Sequence, residues 1–415
     1  MAEKRYDVVV IGAGCAGLSA AASAREAGAA SVAVVETNSR PGGVLGQCIH
    51  AGFGLHTYNE ELTGPEFAAR CYEKARDAGV EFYFSAPVLS LNEDNSVTAL
   101  SREEGLLTLR YGALVLATGC RERAAGNISI PGTRPAGVMT AGTAQEYINI
   151  RGYMVGRRAV ILGSGDIGLI MARRLTLEGA KVICVAELAD FSGGLRRNIV
   201  QCLEDFDIPL RLSTTVTRII GKDRLTAVEL SAVDPATRKP IPGTEEIVPC
   251  DTLLLSVGLV PDAELARVRG ASIASYGGIS VNGDLASSLP GVFACGNVVQ
   301  VHDLADFAAQ EGLRAGAAAA RYALGTAQKR REIPVTWGDR VAFVCPARAL
   351  DGASTEFSFR VRRPMGPSTL HLMDGEREIA SRRRPFLNPG EMETWSVSLP
   401  EGLCGPIHLI AEENA

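Results

Sequence analysis

The sequence predicts an α/β protein in which one unit of alternating strands and helices is nested inside another, followed by a small β-rich module. Three observations predict it. The same glycine signature occurs twice, each time between a run of β-branched residues and an Ala-rich helical stretch. Each copy is followed later by an apolar run ending in a small-residue turn, as a strand returning to the same sheet would end. Beyond Gln328 helical periodicity gives way to period-two alternation.

The first copy reads Asp7-Val-Val-Val-Ile-Gly12-Ala-Gly14-Cys-Ala-Gly17, with an acid, Glu36, 24 residues after Gly12. The second reads Ala159-Val-Ile-Leu-Gly163-Ser-Gly165-Asp-Ile167-Gly168, and its acid, Glu187, also stands 24 residues after the first glycine. The pattern has a physical reading. Gly12 and Gly163 take a turn too tight for a side chain. Gly14 and Gly165 let the backbone approach a pyrophosphate, and Gly17 and Gly168 let the next helix pack close to the sheet. The helix N-terminus then offers N–H groups and partial positive charge to phosphate. Glu36 and Glu187 each end a second apolar strand, where a carboxylate can bind ribose hydroxyls. Each copy is thus a Rossmann-like dinucleotide site, and two such sites in one chain suggest an electron donor and an electron acceptor.

Composition bounds the reading. The chain has 415 residues, enough for two or three domains. A net charge of −5 without a long basic run favours neither nucleic acid nor an anionic membrane surface as a partner. No apolar run reaches membrane-spanning length, so direct membrane insertion is not expected. Ten cysteines are scattered with no CxxC and no Cys/His cluster of zinc spacing, which suits a reducing cytoplasm and predicts no metal site.

Taken in order, residues 1–124 form the first unit: strand and glycine turn, helix, strand and acid, the turn Arg40-Pro-Gly42-Gly43, a helix around 64–78, a meander over about 80–111, and the strand ending in Ala117-Thr118-Gly119. Residues about 125–150 read as a connection and 125–250 as the second unit, closed by the strand running into Gly258-Leu-Val-Pro261. Residues 251–328 return to the first unit through Gly291-Val-Phe-Ala-Cys295-Gly296-Asn297, then a helix of about 20 residues from near Asp303, with Asp303 as its N-cap. Residues 329–415 form the β-rich module. It carries twelve basic and twelve acidic residues, so its arginine clusters read as a solvated face. Its apolar alternation needs burial, on the first unit or on another subunit, and a role in assembly is expected.

This ordered set resembles the pyridine nucleotide–disulfide oxidoreductase superfamily over about residues 5–327. The resemblance implies two nested dinucleotide domains of the glutathione-reductase-like FAD/NAD(P) fold. It places FAD on Gly12, Gly14, Gly17, Glu36, Arg40, Gly43, Ala117, Thr118, Gly119, Gly296 and Asn297. It places NAD(P)H on Gly163, Gly165, Ile167, Gly168, Glu187 and Gly258. Further segments, among them Gly46-Gln-Cys48-Ile-His50 and Gly296-Asn-Val-Val-Gln-Val-His302-Asp303, look like FAD-dependent oxidoreductases that accompany anaerobic glycerol-3-phosphate dehydrogenase-like proteins. They are also similar to components of opine oxidase and hydrogen cyanide synthase. Two departures stand out. Disulfide reductases carry CxxxxC after the Gly-Gly turn, whereas Cys48 stands alone with Gly43 five residues before it. Asn297 replaces the usual Asp at the flavin-ribityl contact, and its carbonyl oxygen can still accept from hydroxyls.

Cys48 and His302 are the candidate catalytic residues, with His50 and His56 in the same glycine-rich loop as Cys48. In this superfamily the long helix turns its N-terminus to the flavin pyrimidine edge, which places His302 near that edge. A carboxylate at Glu187 repels a 2′-phosphate, so NADH is expected over NADPH. Three functions remain open. The chain is an electron-exchanging subunit of a multi-component dehydrogenase, with a partner subunit or as a homo-oligomer; or a stand-alone NADH oxidase or peroxidase using Cys48; or a non-catalytic nucleotide-binding scaffold.

Overall fold

A computed structural model describes residues 2–414 and divides the chain into two compact units: residues 1–120 with 261–415, and residues 121–260.

In the first unit, β1 (Ala2–Ile11) carries the run Val8, Val9, Val10, Ile11, all buried. A strand apolar on both faces belongs in the middle of a parallel sheet. It pairs in parallel with β2 (Val32–Val35) on one side, and β2 pairs with β3 (Glu81–Tyr83). Between them run α1 (Cys15–Glu26) and α2 (Gly64–Asp77). Helix α2 starts as its sequence dictates. Thr63 and Glu66 form a reciprocal capping box with Pro65 behind them, satisfying backbone donors that the first turn leaves unpaired. The meander β4 (Val88–Leu91), β5 (Ser96–Ser101) and β6 (Gly105–Leu116) completes the order β3-β2-β1-β6-β5-β4.

The second unit has its own five-stranded parallel sheet. Its strands are β7 (Val138–Thr140), β8 (Arg158–Leu162), β9 (Lys181–Ala186), β10 (Leu210–Arg211) and β14 (Thr252–Leu255), in the order β7-β14-β8-β9-β10. Helices α3 (Ala141–Asn149) and α4 (Asp166–Leu177) cover it. A separate antiparallel sheet comprises β11 (Thr214–Gly221), β12 (Leu225–Ala232) and β13 (Glu246–Pro249). Two findings differ from the sequence boundaries. The segment 125–150, read as a connection, supplies β7 and α3. And the strand at 252–255 lies in the second unit although it follows residue 250, because it pairs in parallel with both β8 and β7.

The chain re-enters the first unit with β15 (Val292–Ala294), parallel to β6, and α5 (Ala305–Ala323), packed along α1. The cap of α5 differs from expectation. Leu304 is the N-cap and makes no side-chain cap bond, while the Asp303 carboxylate is engaged elsewhere.

The last module is a two-sheet sandwich. One sheet has the order β18-β16-β23-β20-β21, built from β16 (Glu332–Trp337), β18 (Arg348–Leu350), β20 (Ser368–Asp374), β21 (Arg377–Arg384) and β23 (Ile407–Glu413). The other has the order β17-β19-β22, from β17 (Val341–Cys345), β19 (Ser354–Val361) and β22 (Glu393–Ser398). Alternate residues of these strands, among them Phe357, Phe359, Val361, Leu370 and Leu372, bury into a core of its own. The module belongs to the first unit. Among the described residues no helix is long and apolar enough to cross a membrane.

Candidate dinucleotide sites

In the first unit the sequence-predicted residues come together around the N-terminus of α1. Gly12 has φ +104°, and a side chain on it would strike the Ala117 carbonyl. A side chain on Gly17 would strike the carbonyl of Gly12, whereas Gly14 opens on free space. The loop is therefore closed by its first and third glycines and approachable at its second, which is what a phosphate cradle at a helix N-terminus requires. Gly42 donates to the Ala13 carbonyl at 2.8 Å, and a Cβ on Gly43 would lie 3.3 Å from the Gly14 Cα, so the Gly-Gly turn lies against the same loop. Gly296, φ +75°, packs against Ala16 one residue into the helix.

Glu36 is buried at the end of β2. Its Oε2 accepts from the Ala13 N–H at 2.7 Å, and its Oε1 accepts from the Asn38 N–H and Nδ2, each at 2.8 Å. Thr118 donates through Oγ1 to the Asp262 carbonyl at 2.7 Å, and Gly119 accepts from the Asp262 N–H. Asn297 accepts from the His302 N–H at 3.0 Å through Oδ1 and places Nδ2 3.5 Å from the Cys120 sulfur. Arg40 lies exposed on its turn.

Sequence reasoning missed two buried acids on α5. Asp306, in the first turn, accepts from the N–H groups of Gly54, His56 and Thr57 at 3.0, 3.2 and 2.9 Å and from the Thr57 hydroxyl at 2.8 Å. It fixes the loop that carries His56, whose ring lies 5.1 Å from that of Phe307. Glu311 accepts from the Gly296 N–H at 2.6 Å and lies 3.5 Å from His302 Nε2, both side chains almost wholly buried. Burial works to raise the Glu311 carboxyl, but the His302 imidazole, Arg314 and the Gly296 N–H outweigh it and hold it below its ordinary value. No local pattern marks either residue: the partners of Asp306 lie up to 252 positions away, and Glu311 meets a turn 15 positions before it that no helix spacing points to.

Cys48 caps a short 3-10 turn, Gly43–Gln47, and donates its thiol to the Val44 carbonyl at 3.4 Å. Burial pushes that thiol up to about 12, away from the thiolate that nucleophilic or redox chemistry needs. Among the described residues no disulfide joins any of the ten cysteines.

The second unit repeats the arrangement. Gly163 has φ +95°, and a side chain on it would strike the Ser256 carbonyl as one on Gly12 would strike Ala117. Gly165 is the N-cap of α4, and Gly168 donates to Ser256 Oγ at 3.1 Å. Glu187 Oε2 accepts from the Ser164 N–H at 2.8 Å and its hydroxyl at 2.7 Å, and Oε1 accepts from the Ala189 N–H at 2.9 Å. Ile167 is half-buried behind the loop, and Gly258, φ +101°, accepts from the Arg123 N–H at 3.0 Å. Both loops thus have the glycine-only turn and the carboxylate at the lip that a dinucleotide fits; the second glycine is open in the first loop, whereas a side chain on Gly165 would lie 3.2 Å from Ser256 Oγ.

Comparison with known proteins agrees. Residues 6–312 match the family model described as pyridine nucleotide-disulphide oxidoreductase. An opine oxidase subunit of Agrobacterium tumefaciens (strain Ach5) is 28% identical over 65% of this chain and 55% of its own length. The NAD(P)H sulfur oxidoreductase (CoA-dependent) of Pyrococcus abyssi is 28% identical over 71% of this chain and 62% of its own. The chain therefore spans little more than half the length of these relatives. The fold of T. acidophilum thioredoxin reductase superimposes with a TM-score of 0.63 at 23% identity, covering 78% of this chain and 99% of that one. With the duplicated loop geometry and a family match over most of its length, the chain belongs to the pyridine nucleotide-disulphide oxidoreductase family, whose members are flavin-dependent NAD(P)H oxidoreductases.

Proposed function

We propose that the protein binds FAD in its first unit and NADH in its second, and passes electrons between them as the electron-exchanging component of a larger dehydrogenase. The observation that carries this reading is the repeated loop: two glycine turns that exclude side chains, each with a buried or half-buried carboxylate holding its lip. When bound, the flavin supplies two-electron chemistry with the nicotinamide and passes the electrons on.

The chain's own residues bind and orient. The N-terminus of α1 with Gly12, Gly14 and Gly43 receives a pyrophosphate, and Glu36 and Glu187 accept from ribose hydroxyls. A carboxylate at Glu187 rejects a second phosphate on that ribose, which supports NADH over NADPH. Asp306 holds the 54–57 loop and Glu311 the Gly296 turn, so hydrogen bonds from α5 support the walls of the first site. The raised Cys48 thiol supports a route for the electrons that does not pass through that sulfur. A role as one component of a larger enzyme is supported by the likeness to the opine oxidase subunit.

The test is an absorption spectrum of the purified protein followed by anaerobic titration with NADH and NADPH. Flavin bands that bleach with NADH at lower concentration than with NADPH are expected, with slow turnover on oxygen and faster turnover on artificial acceptors. A protein without flavin bands after incubation with FAD refutes the FAD reading. Rapid steady oxidation of NADH by oxygen or peroxide alone refutes the reading as a component of a larger dehydrogenase.

A further inference from the structure

The C-terminal sandwich grips the segment that leads into α5. Asp303 stands two residues before the first residue of that helix, and the module takes both of its carboxylate oxygens. Oδ1 accepts from the Arg360 guanidinium on β19, and Oδ2 accepts from the Met392 N–H at 2.6 Å. Arg360 also donates to the Val301 carbonyl at 3.2 Å and to the Pro389 carbonyl at 3.3 Å. The pair is largely withdrawn from water, at 17% and 12% exposure, so its charges are weakly screened. Other contacts keep the module seated: Arg314 of α5 pairs with Glu356 at 2.9 Å, and the ring of Phe343 lies 4.6 Å from that of Tyr276.

From its other side the same turn is held by the dinucleotide unit. Asn297 accepts from the His302 N–H and Glu311 from the Gly296 N–H. The helix it feeds begins beside the phosphate-facing end of α1, where the Cys15 sulfur lies 3.6 Å from the Ala305 carbonyl. Asp303 is therefore an acid at the positive end of a helix that opens toward the cofactor loop, with its charge balanced from outside the dinucleotide fold.

We propose that Arg360 and Asp303 are positioning residues for the flavin. The module's guanidinium cancels the carboxylate and fixes the 297–304 turn, and so sets the two-electron potential of the bound FAD. This rests on FAD occupying the first unit. Reduction adds negative charge to the flavin. An Asp303 carboxylate stripped of its guanidinium disfavours that charge, and a guanidinium stripped of its carboxylate favours it. The two single substitutions should move the potential in opposite directions, whereas loss of packing alone has no reason to do so.

The experiment uses the full-length, FAD-loaded protein and the variants Arg360→Met, Arg360→Lys, Asp303→Asn and the double Asp303→Asn/Arg360→Met. It measures FAD affinity, thermal unfolding and midpoint potential against reference dyes. Arg360→Met should shift the oxidised-to-reduced ratio about tenfold toward the oxidised form at fixed poise, about 30 mV for a two-electron couple. Asp303→Asn should shift it toward the reduced form. The double variant should lie between them, and Arg360→Lys should lie nearer wild type than Arg360→Met. If Arg360→Met does not fold, the isosteric Asp303→Asn decides alone, by a shift toward the reduced form or its absence. Shifts of the same sign in both singles, or unchanged potentials with FAD bound, overturn the inference. Wild-type protein that never binds FAD overturns instead the functional reading beneath it.

Discussion

At the scale of single residues the two acids at the strand ends do different work from the acids on α5. Glu187 keeps its loop closed through Ser164 and Ala189 and is the ribose ligand we propose. Glu187→Gln should weaken NADH more than NADPH, narrowing the preference about tenfold, or about 1.4 kcal/mol. Stopped-flow flavin reduction with both nucleotides measures it, and an unchanged ratio means that Glu187 is not the ribose ligand. Cys48 packs its thiol on its own turn, so Cys48→Ser should keep flavin reduction within about threefold. A loss of about a hundredfold, about 2.7 kcal/mol of barrier, with FAD still bound would return the sulfur to the mechanism. Glu311 supplies a pH dependence. Its folded value lies below its unfolded one, so its contribution to stability is present above the unfolded carboxyl value of about 4.3 and is lost as pH falls through the folded value. Glu311→Gln should be less stable near pH 7 and should lose less stability than wild type on acidification. Melting curves from pH 7 down to pH 3 check this, and parallel pH profiles would exclude the role. The glycines and the strand-end acids were legible because the strand–turn–helix–strand unit fixes their spacing, the acid standing 24 residues after the first glycine in both copies. Asp306 and Arg360 were not, because their partners lie 252 and 57 positions away and are brought near only by folding; Glu311 was missed because no spacing rule ties a mid-helix acid to the Gly296 turn 15 residues before it.

At the scale of elements, α1 and α5 pack through small residues. A side chain on Gly312 would run into the Ala16 carbonyl, and one on Gly316 into that of Ala20, so the helices touch backbone to backbone along the flank of the first loop. Gly312→Val should cost about 1–3 kcal/mol or more from overpacking and should weaken FAD binding with it, because α1 cannot move without moving its N-terminus. Arg321→Ala, exposed near the end of α5, is the control for thermal unfolding and flavin retention. A Gly312→Val protein as stable as the control would mean that the helices can separate freely. Strand and helix positions were readable here, since β1 and β8 are apolar runs buried on both faces and α2 carries its capping box in sequence. The cap of α5 was misread, although its start and length were not. An Asp just before a helix is a strong local cap signal, but tertiary partners took both oxygens of Asp303 and left Leu304 at the cap. The boundary at 250 stopped short of the strand that the sequence had read as closing the second unit, and the pairing of that strand with β7 and β8 carries the unit on to 260.

At the scale of the whole molecule the question is what the last 85 or so residues do. Their alternating pattern announced strands and a small core, and the sandwich has both, with Phe357 and Phe359 fully buried. Pattern alone could not say what the module rests on, because outward-facing positions such as Arg360 look like any solvated strand face. In the fold, Arg360 and Met392 hold Asp303, the Ala347 N–H donates to the Val281 carbonyl, and Cys345 is buried with the core of the dinucleotide unit. This changes the outcome expected of a truncation. From sequence, removal of everything beyond Gln328 should leave flavin binding intact, since both signatures and both return strands precede it. From the structure, the cut bares an unpaired Asp303 beside α5 and uncovers apolar surface around Tyr276, so the first unit should lose thermal stability and hold FAD at least about tenfold more weakly. The second unit keeps apolar clusters built entirely from its own residues, and NADH binding there should survive. Calorimetric titration of the truncated protein with FAD and with NADH separates the two. A truncated protein that retains FAD at wild-type affinity and melts unchanged would make the module an independent appendage, and its purpose would then lie in assembly.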